Sequence, residues 1–527
     1  MATTAATVPT AARAARPHGA EVGPSAARTA LASASAAVAA LFLGSGTALA
    51  QQTVFEYGIN TTGTLSSNPD LVPDGQENAG FLLNVSPYFW LSRTGDRLRL
   101  VGGGDLGLEA DLRQDSDGGG VTLRPRGSLT GTLEAIDNFF FVEARAVVER
   151  SLDNPFLASP SATSAVNTSA YYQLGVTPFI RGQLLGRVDY EVRSDNSWTN
   201  DFNDQPMLYS GRHSASLSRA PQPVGWGFSF NRDSLESDVE GQGNLVTDVA
   251  RFSLRYAVTA NFAVGARLGT ERYNYTLAAD DWQRFYGVEV SWRPNERTAL
   301  EGYWEDRAFG NGWNLSFTHR RPRLAFSVQS SRDLSSTPQQ FLTFPALANV
   351  AALLDAAFTT RIPDPAERQR AVIDFLSRTQ LPAELLTPTV IYNQQIQIQA
   401  NTSASVVLYG PRNSLAFTLF RTKTEGVAGL STIAPVLQDT VENGASLGFN
   451  HRMTPITSLG AFATYRRTES VIDSDAETSQ TEFRVEASRQ VGVRTFGTLG
   501  ARYQWIDSTV TNDSTETAIY FTLNHRF

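Results

Sequence analysis

The chain has no cysteine, a single lysine (Lys423), three methionines and five histidines among 527 residues. Without cysteine there is no disulfide framework, no thiolate-ligated zinc site and no thiol nucleophile. Long apolar runs are also missing: beyond the N-terminal region none reaches the roughly 18 residues that a membrane-crossing helix needs. Arginine supplies the rest of the 44 basic residues, against 52 acids, for a net charge of -8. That sign gives no footprint for a phosphate backbone, so nucleic acid is not an expected partner.

The first fifty residues have the layout of a secretory signal. Arg13, Arg16 and Arg28 lie in an Ala/Thr/Pro-rich lead, an apolar core runs from Leu31 to Leu43, and Ala48-Leu49-Ala50 follows. Positive region, short apolar core and small-x-small site come in the order that cleavage requires. The expected mature chain starts at Gln51, after Sec-type export and cleavage behind Ala48 and Ala50. Residues 51–527 then read as one domain.

What the mature chain has in abundance is alternation. Phe252, Leu254, Tyr256 and Val258 share one face while Arg251, Ser253 and Arg255 take the other. Tyr286, Val288, Val290 and Trp292 alternate with Glu289, Ser291 and Arg293, and Leu499, Ala501, Tyr503 and Trp505 with Gly500, Arg502 and Gln504. Period two is the mark of strands with one apolar and one polar face. The segments are about twice the usual globular strand length of 5–6 residues, and fit tilted membrane-crossing strands. Short connections such as Pro294-Asn295-Glu296 and Met453-Thr454-Pro455 alternate with longer polar ones such as 152–167 and 426–439. The pattern predicts an all-β, transmembrane antiparallel barrel of about 22 strands (range 18–22), with the short turns in the periplasm. Segments 53–66 and 312–332 are its weakest strands. Phe521, Leu523 and Phe527 form the final apolar row, resembling the terminal signal read by the barrel assembly machinery. Expected partners are therefore outer-membrane lipid and that machinery.

One stretch, residues 341–386, changes period. Leu347, Val350, Leu354 and Phe358 sit at helical spacing, and Val372, Phe375 and Leu376 form one face of a second helix. Asp364-Pro365-Ala366-Glu367 reads as an N-cap, a proline at the first helical position and a glutamate at the third. Strand parity places this short α-helical insertion in an external loop. Its apolar face has to dock on the rim, on a partner or inside the lumen, where it would act as a lid or plug.

Chemistry is sparse. No metal-ligand cluster or phosphate loop stands out, no cofactor is expected, and an enzyme is not expected. His319, His451 and His525 share rows with apolar residues and should face lipid near the periplasmic ends of their strands; the row of His213 is also apolar. The polar rows are richer: Glu143 and Arg145, Arg251 and Arg255, Glu289 and Arg293, and Glu301 and Glu305 are expected to line the lumen. An arginine facing lipid at mid-bilayer would cost about 2–4 kcal/mol.

Several motifs resemble a family of outer-membrane β-barrels associated with the PEP-CTERM/exosortase sorting system of Gram-negative bacteria. They are Asn84-Val85-Ser86-Pro87, Arg93 to Leu100, Phe139-Phe140-Phe141-Val142-Glu143-Ala144-Arg145, and Gly410-Pro411-Arg412-Asn413-Ser414-Leu415. The closest stretch is the insertion, Arg361-Ile362-Pro363-Asp364-Pro365 through Phe375-Leu376 to Leu381-Pro382. The resemblance covers most of 55–527. It implies a cell outer-membrane location and a role beside exopolysaccharide or sorted surface proteins, with no catalytic residues to carry over. The expected function is a conduit or accessory in envelope export; the competing expectation is a non-conducting structural barrel whose external loops bind a partner.

Overall fold

The computed structural model describes residues 52–113, 121–157, 167–201, 207–237, 244–275, 281–347, 349–359, 361–379, 381, 385–393, 395–427, 439–473 and 475–527. Ala48, Ala50 and Gln51 lie outside them. The barrel opens with β1 (Gln52–Ser66), β2 (Gly80–Thr94), β3 (Leu98–Asp111) and β4 (Val121–Ile136). Then come β5 (Phe140–Leu152), β6 (Thr168–Leu184), β7 (Val188–Asp201), β8 (Leu208–Arg219) and β9 (Val224–Ser237). The middle holds β10 (Leu245–Thr259), β11 (Phe262–Tyr273), β12 (Gln283–Asn295), β13 (Thr298–Arg307), β14 (Gly310–Arg321) and β15 (Leu324–Ser336). After the helices follow β16 (Ile396–Tyr409), β17 (Asn413–Gly426), β18 (Thr440–Thr454) and β19 (Thr457–Ser470). The last strands are β20 (Glu477–Gly492), β21 (Thr495–Ser508) and β22 (Ser514–Arg526).

Each strand pairs antiparallel with its sequence neighbours, and β1 pairs with β22, so the 22-stranded sheet closes on itself. Closure satisfies every ladder and removes the edges that a membrane would not tolerate. The segments that read weakly in sequence form β1, β14 and β15. The one short connection on the long-loop side, Ala308-Phe309, turns through Gly310, whose φ of +97° suits glycine.

Alternation maps onto the two surfaces as expected. Phe252 (45% exposed), Val288 (58%) and Ile519 (57%) belong to an outward apolar belt. Their polar neighbours turn inward. Strands of 10 to 17 residues are long enough to cross a bilayer and project beyond it. The barrel is thus a transmembrane one.

At the seam, Phe527 stacks on Tyr57 with ring centroids 5.5 Å apart, and its N–H donates to Tyr57 O at 3.0 Å. His525 meets Phe527 edge-on at 4.9 Å. These rings tie the β22 end to β1 at the short-turn rim. Phe527→Ser removes the stack, so the folded fraction recovered from the membrane should fall several-fold while export is unchanged. Unheated gel migration of membrane fractions checks this; a wild-type level of the folded form would show that the ring is dispensable.

The insertion is larger than its sequence pattern suggested. Among the described residues three helices interrupt the strands: α1 (Thr337–Leu347), α2 (Val350–Phe358) and α3 (Pro365–Thr379). The non-strand segment thus runs from 337 to 395 rather than 341 to 386. Leu347 and Val350 do not share one helix. Asn349 is extended and its side chain accepts from Ala352 N at 2.8 Å, which starts α2 afresh. The Asp364 cap of α3 is present, accepting from Glu367 N at 2.8 Å.

Candidate functional site

The insertion lies inside the barrel. Ala325 on β15, Val407 on β16 and Ala416 on β17 are paired across neighbouring strands, and Gly448 on β18 is opposite Ala416. Together they form an inward girdle of small apolar residues near the short-turn end. Val350, Leu354, Ala357 and Phe358 of α2 and Val372 of α3 bury against it, with Phe375 and Leu376 packed alongside. The side chain of Leu347 lies outside the described residues. Gly448 leaves room for Leu381: a Cβ there would sit 3.3 Å from Leu381 Cδ2.

Two interactions hold the helical pair together. Arg368 Nε donates to Asp355 at 2.8 Å, and the same guanidinium reaches Ile362 O and Pro363 O across the α2–α3 turn. Phe358, Phe375 and Tyr409 of β16 form an edge-to-face trio with centroids 5.0–5.9 Å apart.

Chain lengths explain the path. From Ser336 at the external end of β15 to the girdle is 11 residues of strand, roughly 36 Å. Strand tilt of about 35–45° makes that about 28 Å along the barrel axis, and the 11 residues of α1 and 9 of α2 give roughly 30 Å of helix, enough for the descent. The return, described over 385–393, carries no helix. Arg466 donates to Thr387 O at 3.0 Å, Thr389 N donates to Glu442 at 2.9 Å, and Ile391 bridges to Leu152 at the end of β5. Tyr392 stacks on Tyr171 of β6 at 4.5 Å. Burial raises the pKa of Tyr392, and likewise that of Tyr275, whose hydroxyl lies 2.8 Å from Thr247 Oγ1. Both phenols therefore stay neutral.

The lumen charges fall into a ladder on the wall from β8 to β15. Arg293 pairs with Glu301 near the short turns, and Arg255 with Glu289 above it. Glu305, fully buried, takes Arg251 at 3.0 Å, Arg267 at 3.2 Å and Arg307 at 3.4 Å. Arg307 also bonds Glu271. On another wall Glu143 pairs with Arg193 of β7 at 3.3 Å rather than with Arg145, which lies across Gly175. Arg267, Glu271 and Arg307 were missed in the sequence reading. Parity along β11 and β13 would have found them.

The four described histidines, His213, His319, His451 and His525, face outward, and each Nδ1 sits 2.7–2.9 Å from the residue directly opposite: Ser194, Thr298, Asn413 and Thr495. The Ser194–His213 contact thus repeats a cross-strand arrangement rather than standing apart as a nucleophile–base pair. Among the described residues no group of three or more His, Asp or Glu is placed to hold a metal.

No family model and no curated protein matches the chain. Solved structures resemble it distantly. The FrpB iron transporter (F3-3 variant) from Neisseria meningitidis has a TM-score of 0.45 at 9% identity, covering 90% of this chain and 82% of that one. The siderophore receptor PirA from Acinetobacter baumannii gives 0.44 at 10% identity, with 90% and 81% covered. The outer membrane protein opdK from Pseudomonas aeruginosa gives 0.32 at 8% identity, with 90% and 98% covered. Likeness at this level assigns no ligand and no mode of action to this chain.

Proposed function

We propose that the protein is a conduit of a Gram-negative outer membrane, closed at rest by its own insertion and opened when α2 and α3 leave the girdle. The observation that carries this reading is the chemistry of the wall beside the insertion. A permanent filling would do best against apolar side chains, because half-satisfied polar networks are worse than an apolar core. Yet the inward row of β16 above Val407 is Gln397, Gln399, Asn401, Ser403 and Ser405, all buried. Asn401 Oδ1, Ser446 Oγ and both side-chain polar atoms of Asn450 are buried without hydrogen-bond partners. Each such group costs about 1–3 kcal/mol, and water would satisfy it once the helices move. Apolar packing on the girdle favours the closed state; the polar wall above favours a wet one.

A cavity of about 20 Å³ between Gln340, Thr389 and the walls of β16–β19 has room for one water, which fits that balance. The cargo implied by the family resemblance, an exopolysaccharide or a sorted surface protein, belongs to this proposal and rests on the sequence motifs alone.

Planar-bilayer recording of the purified, folded protein tests the reading. Long closed periods broken by steps of uniform size are expected. A bilayer that stays silent at every applied voltage would refute the conduit and favour a structural barrel whose external loops bind a partner.

A further inference from the structure

The short turns are unevenly charged. Those at 220–223 and 260–261, between β8 and β9 and between β10 and β11, carry no charged residue. The four hairpin ends from β12 to β19 hold Arg297, Arg320 and Arg323, Arg412 and Arg452. The α2–α3 turn adds Arg361 to the same mouth. Arg320 Nη1 donates to Ala356 O in the last turn of α2 at 3.4 Å, and Arg323 and Arg361 both act electrostatically on the Tyr409 phenol at the end of β16.

Arg297, Arg323, Arg361 and Arg412 are exposed, and among the described residues none of them has an ion-pair partner. Arg293, just inside the mouth, is paired with Glu301. Against the six guanidinium groups stand Glu296 and, at the start of α3, Asp364 and Glu367. Asp364 is already engaged, accepting from Glu367 N. Crowding like charges costs stability through self-repulsion, which an anion on the mouth offsets. Headgroups outside the wall do not reach these residues: Thr298, His319 and His451 face outward, so alternation turns Arg297, Arg320 and Arg452 inward.

Spacing and neighbours narrow the occupant. Tilted strands put successive short turns roughly 12 Å apart along the rim, so four of them make an arc of roughly 37 Å. An extended peptide covers that with about eleven residues. Between the arginines Pro322, Pro363, Pro411 and Ile456 are exposed, and Ile362 is half-buried. Arginine beside uncovered apolar side chains is the composition of a protein interface. A saccharide's hydroxyl groups need acceptors as well as donors, and guanidinium groups offer none.

We propose that this mouth docks an acidic, extended segment of a periplasmic protein, laid along the short turns from β12 to β19 and across the α2–α3 turn. The segment acts on the insertion through Arg320. That guanidinium donates to Ala356 O at the C-terminal end of α2 and to Glu296 O at 3.0 Å. A carboxylate is a stronger acceptor than either carbonyl, so a docked acid draws Arg320 away and frees one hold on α2. This adds a partner to the conduit reading and rests on that reading only for opening; docking is measured apart from it.

Fluorescence anisotropy tests the surface, with a labelled peptide of Glu-Pro-Val repeats, about twelve residues long, titrated with the detergent-solubilised, folded protein at about 0.15 M ionic strength. Proline holds such a peptide extended at about 3.1 Å per residue, with an acid about every 9 Å. It should bind, and its Gln-Pro-Val counterpart about tenfold weaker or more. Arg297→Gln, Arg323→Gln and Arg412→Gln combined should weaken the Glu peptide by about tenfold; if that triple variant does not fold, the single changes decide. Arg97→Gln with Arg187→Gln, on turns outside the arc, should leave binding unchanged. The proposal is overturned if the Glu peptide does not bind, if the Gln peptide binds as well, if the folded arc variants keep wild-type affinity, or if the Arg97 and Arg187 changes cost as much. Equally tight binding of tetragalacturonate would also overturn it, handing the mouth to a saccharide. Peptide binding by a barrel that never conducts would uphold the docking and sink the conduit; conductance without peptide binding would do the reverse.

Discussion

Replacing residues 341–386 with a short Gly-Ser linker should leave a folded barrel whose conductance rises by about an order of magnitude, since a 22-stranded wall is wide enough to need a plug. The splice is geometrically mild. Gln340 and Thr389 line the same small cavity, so the linker has little distance to span. It removes Leu354, Phe358, Val372 and Phe375 from the girdle and exposes the Gln/Asn/Ser row of β16, which water can solvate. Ladder hydrogen bonds between β15 and β16 are untouched. Cells carrying the variant should also become sensitive to large antibiotics that the wild type excludes. A folded variant with unchanged conductance and unchanged sensitivity would show that something other than the insertion closes the lumen.

Glu305→Leu should be the most damaging single change in the wall, costing about 3–5 kcal/mol, the range for breaking a buried ion pair from one side. Glu305 is fully buried and holds three guanidinium groups, from β10, β11 and β13. Leucine would leave Arg251, Arg267 and Arg307 facing one another, with Glu289 and Glu271 as the nearest compensation. Glu301→Leu is the contrast. Its partner Arg293 and Glu301 itself are both more than half exposed, so that change should move stability by about 1 kcal/mol or less. Urea unfolding in lipid vesicles measures the difference, and equal losses for the two variants would dismiss burial as the deciding factor.

The barrel could be read from sequence because period-two alternation is local: each strand of 10 to 17 residues carries its own evidence for which side faces lipid. The insertion could be read only in part. Pro338 sits in the first turn of α1 and Gln339 Oε1 accepts from Ser336 N at 3.2 Å, a helix-start signal the helical periodicity did not include. Asn349 divided what looked like one helix because its side chain competes for the backbone of the next turn. The docking place was out of reach. It depends on Ala325, Val407, Ala416 and Gly448 lying at one height on four strands, and each is unremarkable alone. Lumen charges were placed on the right face but not with their partners. Glu143 and Arg145 are on one strand, and whether they pair or reach across to β7 is set by stagger between strands.

Ser336 and Ile396, the two roots of the insertion, are register partners on β15 and β16. That has a consequence for the order in which the chain assembles. The helices pack on β14 to β19, the strands flanking them in sequence, so they can settle on an open half-sheet at little loop-closure cost. The contacts of Ile391 with Leu152 and of Tyr392 with Tyr171 reach strands more than 200 residues earlier and need the sheet to curl round. A barrel that zipped β1 to β22 first would then have to feed roughly 60 residues in through its mouth, against the entropy of confining them. Settling first and closing second turns the sheet into a wrapper, and the insertion is enclosed by the same event that completes the wall.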